Sequence, residues 1–121
     1  DPNPVTGANE YLTEIYRRFA LASQQFASGR LGGTQRGWKT DRGRVYITYG
    51  PPDERKTYAY SANQKPWEKW TYYNLQGGAV FVFEDQDGYG NFELVHSTLR
   101  GEKRDPRWER FLLEEHSLIG E

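Results

Sequence analysis

Tyr11, Ile15, Phe19, Ala22 and Phe26 recur at spacings of four, four, three and four residues. Side chains so spaced share one face of an α-helix, and Arg17, Arg18, Gln24 and Gln25 fall mostly elsewhere, so residues 8–28 are predicted to form an amphipathic helix. Gly29 suits its C-terminal cap. Residues 29–37 (Gly-Arg-Leu-Gly-Gly-Thr-Gln-Arg-Gly) hold too many glycines for regular structure and predict a loop.

Beyond that loop the period changes to two. Residues 44–49 alternate as a strand, with Val45, Ile47 and Tyr49 on one face and Tyr46 and Thr48 on the other. Gly50-Pro51-Pro52 ends it, because two prolines supply no ladder donors. Residues 56–60 predict a second short strand and residues 61–66 a loop. Residues 67–73 set Trp67, Lys69, Thr71 and Tyr73 opposite Glu68, Trp70 and Tyr72, so at least one aromatic row packs inward. Gly77-Gly78 turns the chain into a strand over residues 79–84, residues 85–90 form a hairpin connection, and residues 91–97 return with Phe92, Leu94 and His96 on one face and Glu93 and Val95 on the other. Asp105-Pro106 supplies an N-cap followed by proline in the first helical turn, and Trp108, Phe111, Leu112 and Leu118 make the apolar stripe of a last helix. The sum is an α+β domain: an N-terminal amphipathic helix, a four- or five-stranded, mostly antiparallel meander sheet and a C-terminal helix. No internal repeat is present.

One segment carries more information than the rest. Gly37-Trp38-Lys39-Thr40-Asp41-Arg42-Gly43 joins a buried-type Trp to a Thr-Asp turn starter, and Tyr46-Ile47-Thr48-Tyr49-Gly50-Pro51-Pro52-Asp53 follows it. Together with Asn9-Glu10-Tyr11 near the start and Phe92 to Thr98 near the end, this order resembles the GWxTD domain, a bacterial family named for that pentapeptide. The resemblance spans most of the chain and marks Gly37, Trp38, Thr40, Asp41, Gly43, Gly50 and Pro51 as its structural positions. It implies a domain of a larger periplasmic or secreted bacterial protein and implies no reaction.

Length and composition agree with a single domain over residues 1–121, residues 1–7 serving as a linker. Apolar residues make up only 36% of the chain but aromatic ones 16%, so large rings must carry the core, with Tyr hydroxyls and Trp N–H groups reaching polar partners at its edge. No stretch approaches the roughly 20 apolar residues that a spanning helix needs. Cysteine is absent, which removes disulfides and thiolate metal sites and is compatible with an oxidising compartment. The net charge of −1 argues against nucleic acid as a partner. Bases gather between Arg17 and Arg44 and acids near Glu84, Asp85 and Asp87, which reads as a solvated face or as an anion-facing patch near Arg42 and Arg44.

Several constellations suggest chemistry. Residues 32–40 nearly spell a phosphate-binding loop, but Trp38 intrudes between glycine and lysine, and the loop follows a helix and precedes a strand, the reverse of the required order. Residues 85–90 resemble the start of a calcium loop, but Tyr89 and His96 stand where ligands belong, so a tight hairpin is expected and no metal site. No motif asks for a cofactor. Thr40 or Asp41 can cap a short turn with Trp38 filling the core beneath and Arg42 paired to Asp53 or Glu54; alternatively Arg42, Arg44, Asp53 and Glu54 line a polar cleft. His96 is the only histidine on a predicted strand, and a catalytic role for it requires Asp41, Asp53 or Glu54 to converge on it. Trp67, Trp70 and Tyr72, with Tyr58, Tyr60, Tyr73 and Tyr89, are more rings than one small sheet buries on one face, so some are expected at the surface, where they would receive a protein or a sugar. The expected function is a non-catalytic binding or interaction module, the alternatives being a carbohydrate-binding domain or a hydrolase using Asp41, Asp53, Glu54 and His96.

Overall fold

The computed structural model describes residues 4–26, 37–59, 64–86, 88 and 90–119. The chain divides into two compact units, one through Pro51 and one from Pro52 on.

In the first unit, helix α1 spans Pro4–Gln25, a 3-10 turn spans Gly37–Lys39, and helix α2 spans Asp41–Tyr49. Helix α1 starts inside the segment read as a linker. Its Gly29 cap and most of the glycine-rich loop lie outside the described residues. Ala22 and Phe26 are buried beside Val45 and Tyr46, the Phe26 and Tyr46 rings lying 5.7 Å apart. Arg18 ties the two helices: it binds Glu14 on its own helix at 2.8 Å and donates to the carbonyl of Ile47 at 3.0 Å.

Helix α2 corrects the strand expected over residues 44–49. Arg42, Gly43, Val45 and Tyr46 are its buried positions, a spacing of one, three and four from the first that belongs to a helix. Alternation of Val45, Ile47 and Tyr49 over only six residues fits a strand equally well on paper. The helix wins because its start is capped and its end closed. Thr40 Oγ1 accepts from the Gly43 N–H at 3.0 Å, and Gly50, at φ 88°, donates its N–H to the Tyr46 carbonyl at 2.8 Å. Gly50-Pro51-Pro52 therefore stops a helix.

In the second unit, strands β1 (Glu54–Tyr58), β2 (Trp67–Tyr72), β3 (Ala79–Asp85) and β4 (Phe92–Ser97) form an antiparallel meander in that order, followed by helix α3 (Glu109–Ile119). Register places Trp67 opposite Glu84, Trp70 opposite Phe81 and Thr57 opposite Glu68. Both faces of β2 are buried, since Trp67 and Trp70 lie on opposite sides and neither is exposed. One face carries Trp67, Val82 and Val95, packed with Phe111 of α3 and flanked by Tyr58, Val80 and Trp108. The other carries Trp70, Tyr72, Phe81 and Phe83, whose rings meet at 4.9 Å (Trp70–Phe83) and 5.5 Å (Tyr72–Phe81).

A bulge alters β4. Val82 pairs with His96 and Phe83 with Leu94, so Val95 is the extra residue and His96 leaves the face of Phe92 and Leu94 on which alternation had put it. Asp105 caps a turn ahead of α3, accepting from Arg107 N at 2.9 Å, and the helix proper begins at Glu109. Tyr60, Ser61 to Asn63, Asp87 and Tyr89 lie outside the described residues, as do the side chains of His116 and Leu118.

Candidate functional site

The pentapeptide and its flanks build a helix junction. Gly37 faces α1 so closely that a Cβ on it would stand 1.9 Å from the Ala22 carbonyl oxygen, and a Cβ on Gly43 would stand 1.9 Å from the carbonyl oxygen of Gly37 itself. Between them Thr40 donates to Gly37 O at 2.7 Å while accepting from Gly43 N. Asp41 sits in the first turn of α2, where a carboxylate complements the helix dipole. Trp38 was expected to fill the core but is only half-buried; its ring lies 5.7 Å from Phe19, and Lys39 Nζ lies 5.1 Å from its centroid. Arg42 is buried with its guanidinium 5.0 Å from the Phe26 ring, and Arg44 is exposed.

The second unit engages the acids proposed for a cleft. Asp53 accepts from the Tyr73 backbone N–H at 2.7 Å, and Glu54 accepts from the Tyr73 hydroxyl. Glu54 lies on β1 and His96 on β4, the two edges of the sheet, about 14 Å apart at the usual strand spacing. The two groups do not converge. Of the rings named for a binding face, Trp67 and Trp70 are fully buried and Tyr72 nearly so, which corrects their expected exposure; Tyr73 is exposed.

Buried polar groups in the second unit are mostly satisfied internally. Glu68, 2% exposed, accepts from Arg55 Nε at 3.1 Å, Thr57 Oγ1 at 3.0 Å and Trp70 Nε1 at 2.7 Å. Glu84 accepts from Gln64 at 2.5 Å, and Asp85 accepts the N–H groups of Gly88 and Gly90, so the carboxylate read as a calcium-loop start braces its own turn. Among the described residues, no group of three or more His, Asp and Glu side chains is arranged to hold a metal ion. Glu115 of α3 binds Lys69 at 2.8 Å and accepts from the Tyr58 hydroxyl. Burial opposes ionisation of Glu115, but those two bonds outweigh it and hold its carboxyl below the usual range.

His96 is buried, its Nδ1 accepts from the Asp105 N–H at 2.9 Å, and its ring stacks on Trp108 at 4.6 Å. Nε2 has no hydrogen-bond partner among the described residues. Burial and the charge of Arg104 push the imidazole below its ordinary pKa, against the pull of Asp105 and Glu109.

Of the six exposed large hydrophobic side chains among the described residues, four lie on α1, the others being Tyr73 and Leu113. Tyr11 is 67% exposed, Leu12 48%, Tyr16 69% and Phe19 38%. The face expected to be buried is closed at Ala22 and Phe26 and half-covered at Ile15, while Tyr11 and Phe19, assigned to it, reach solvent. Leu12, Tyr16 and Phe19 form their own stripe at spacings of four and three, a sequence signal masked by the longer Tyr11–Phe26 series, which shares Phe19 with it.

The sequence model of the GWxTD domain matches residues 4–111, and the chain belongs to that family. Comparison with curated proteins and with solved structures returns no significant match.

Proposed function

We propose that this GWxTD domain is a non-catalytic interaction module that docks another protein on the Tyr11, Leu12, Tyr16 and Phe19 face of α1. The observation that carries the reading is the exposure of four large apolar side chains on one helix. Tyrosine and phenylalanine are enriched at protein interfaces, where each buries a large area at small entropic cost. A Leu amid rings on a convex helical ridge suits a packed protein surface, such as the apolar stripe of a partner helix, better than it suits a sugar, which stacks on flat rings. Trp67, Trp70 and Tyr72, the rings a sugar platform on the sheet would need, are buried. The family resemblance supports placing the domain in a larger extracytoplasmic bacterial protein.

The test is site-specific photocrosslinking in the bacterial host, with a photoreactive phenylalanine analogue replacing Tyr16 in one version and Thr48, on the exposed side of α2, in another. A discrete protein adduct from position 16, absent from position 48 and lost on Leu12→Asp, is expected. Equal labelling from both positions would remove the α1 surface as the docking face.

A further inference from the structure

We propose that His96 is a pH-sensitive latch: as neutral imidazole it holds the segment leading into α3 by accepting the Asp105 N–H, and protonation of its Nδ1 releases that segment.

The geometry leaves little choice of tautomer. Nδ1 accepts from a backbone N–H at 2.9 Å, so the proton of the neutral ring resides on Nε2. A second proton has only Nδ1 to occupy, where it would point at the Asp105 N–H, replacing a bond with two opposed donors. The new charge would also form where the ring is 1% exposed, which disfavours it.

The surroundings do not rescue the cation. On the connector, Arg104 repels it, and the Asp105 carboxylate, although attractive, is bonded to Arg107 N at 2.9 Å and Arg110 Nη1 at 2.8 Å. From α3, Glu109 attracts it at longer range. On the sheet the residue opposite is Val82, and Lys69, next in that row, is paired with Glu115. The Trp108 face beneath the ring attracts a cation but accepts no N–H in the plane of the imidazole. The strained pair is relieved when the ring turns out from under Trp108, which frees both anchors of the turn over residues 105–108. Phe111, three residues further, is the α3 side chain packed with Trp67, Val82 and Val95, so loosening the turn weakens the cover of that apolar face.

The direction of the pH effect follows from the neutral form being the one held by the fold. The unfolded imidazole protonates near pH 6.5, so the latch is fully closed above that value and opens as pH falls below it.

Amide hydrogen exchange of the whole chain between pH 8 and pH 5, corrected for intrinsic rates, tests this. Amides from Asp105 to Phe111 are expected to lose at least tenfold in protection below about pH 6.5, while those of β2 and β3 keep theirs. In His96→Gln, whose Oε1 can accept the same N–H without titrating, this step should vanish; in His116→Gln it should persist. The same step in His96→Gln as in the parent would overturn the latch, as would constant protection in the parent. Should His96→Gln fail to fold, ring and amide NMR shifts of the parent decide: His96 titrating together with the Asp105 amide supports the latch, and His96 titrating without it, or not at all above pH 5, refutes it.

Discussion

Gly37 and Ala22 touch backbone to backbone: a methyl group on Gly37 would stand 1.9 Å from the Ala22 carbonyl oxygen, a separation that no side-chain rearrangement can relieve because both partners are main chain. Gly43 repeats the relationship one step on, against Gly37. In an ordinary helix interior, Gly→Ala stabilises by about 1 kcal/mol. Gly43→Ala in α2 is expected to do the reverse, costing about 1 to 3 kcal/mol or more, and Gly37→Ala likewise, as overpacked sites do. Urea unfolding of the two variants checks the sign. A gain in stability from Gly43→Ala would show that α2 does not sit where this junction requires.

The strands β2 to β4 and the last helix were legible in the sequence because each has a cue that does not depend on its neighbours: a Gly-Gly or Asp-Gly turn, a run of β-branched and aromatic residues, an apolar stripe at helical spacing. The Asp-Pro pair expected to start that helix instead forms the turn ahead of it, and the helix begins at Glu109. Residues 44–49 were not. Val45, Ile47 and Tyr49 alternate, while Arg42, Val45, Tyr46 and Tyr49 recur at helical spacing, so one short stretch supports two periods. The expected cap was Thr40 or Asp41 at the head of a short turn; Thr40 is the cap, and with Gly50 closing the far end it opens nine helical residues. For the candidate site, the pentapeptide was legible as structural although not as a contact of two glycines, since close backbone approach leaves no side-chain trace. The burial of Trp67 and Trp70 on opposite faces escaped because alternation says which rings share a face and nothing about what lies over it. His96 changed faces because a bulge inserts one residue without any mark in β4's sequence.

Glu68 concentrates polar stabilisation on the aromatic face of the sheet. Its carboxylate, 2% exposed, takes donors from Arg55, Thr57 and Trp70. Glu68→Leu keeps the volume and strands Trp70 Nε1, a buried donor, so a cost of about 2 to 3 kcal/mol is expected. Adding Trp70→Phe to Glu68→Leu removes the stranded donor. The double variant should therefore lose less than the sum of the two single losses in a urea double-mutant cycle, and strict additivity would mean that the Trp70–Glu68 bond contributes nothing.

The Tyr58, Lys69 and Glu115 cluster sets pH dependence at both ends of the range. Glu115 is depressed in the folded chain, so its contribution is in place above the unfolded value of about 4.3 and is lost as pH falls through the lower folded one. Tyr58 is raised, chiefly by burial and then by its bond to Glu115, so its contribution is in place below about pH 10 and is lost as pH rises further. Stability measured by denaturant melts from pH 3 to pH 11 should flatten on the acid side in Glu115→Gln and on the alkaline side in Tyr58→Phe, each leaving the opposite limb less affected. An acid limb unchanged by Glu115→Gln would place its origin in other carboxylates.

Exposure makes the α1 stripe separable from the fold. Tyr11 and Tyr16 keep 67% and 69% of their surface in water, so truncating them removes little buried area, and surface changes of this kind usually fall within about ±0.5 kcal/mol. Tyr11→Ser and Tyr16→Ser should therefore leave the urea midpoint near that of the parent. Ala22, on the same helix with no exposed surface, provides the contrast: Ala22→Leu forces three extra carbons into a closed site and is expected to cost about 1 to 3 kcal/mol. If the tyrosine variants lose as much as Ala22→Leu, the stripe belongs to the core in solution and the docking surface on α1 does not exist. If only Ala22→Leu is destabilised, the two tyrosines are free to meet a partner, and any loss of crosslinking in their variants reports on docking and not on folding.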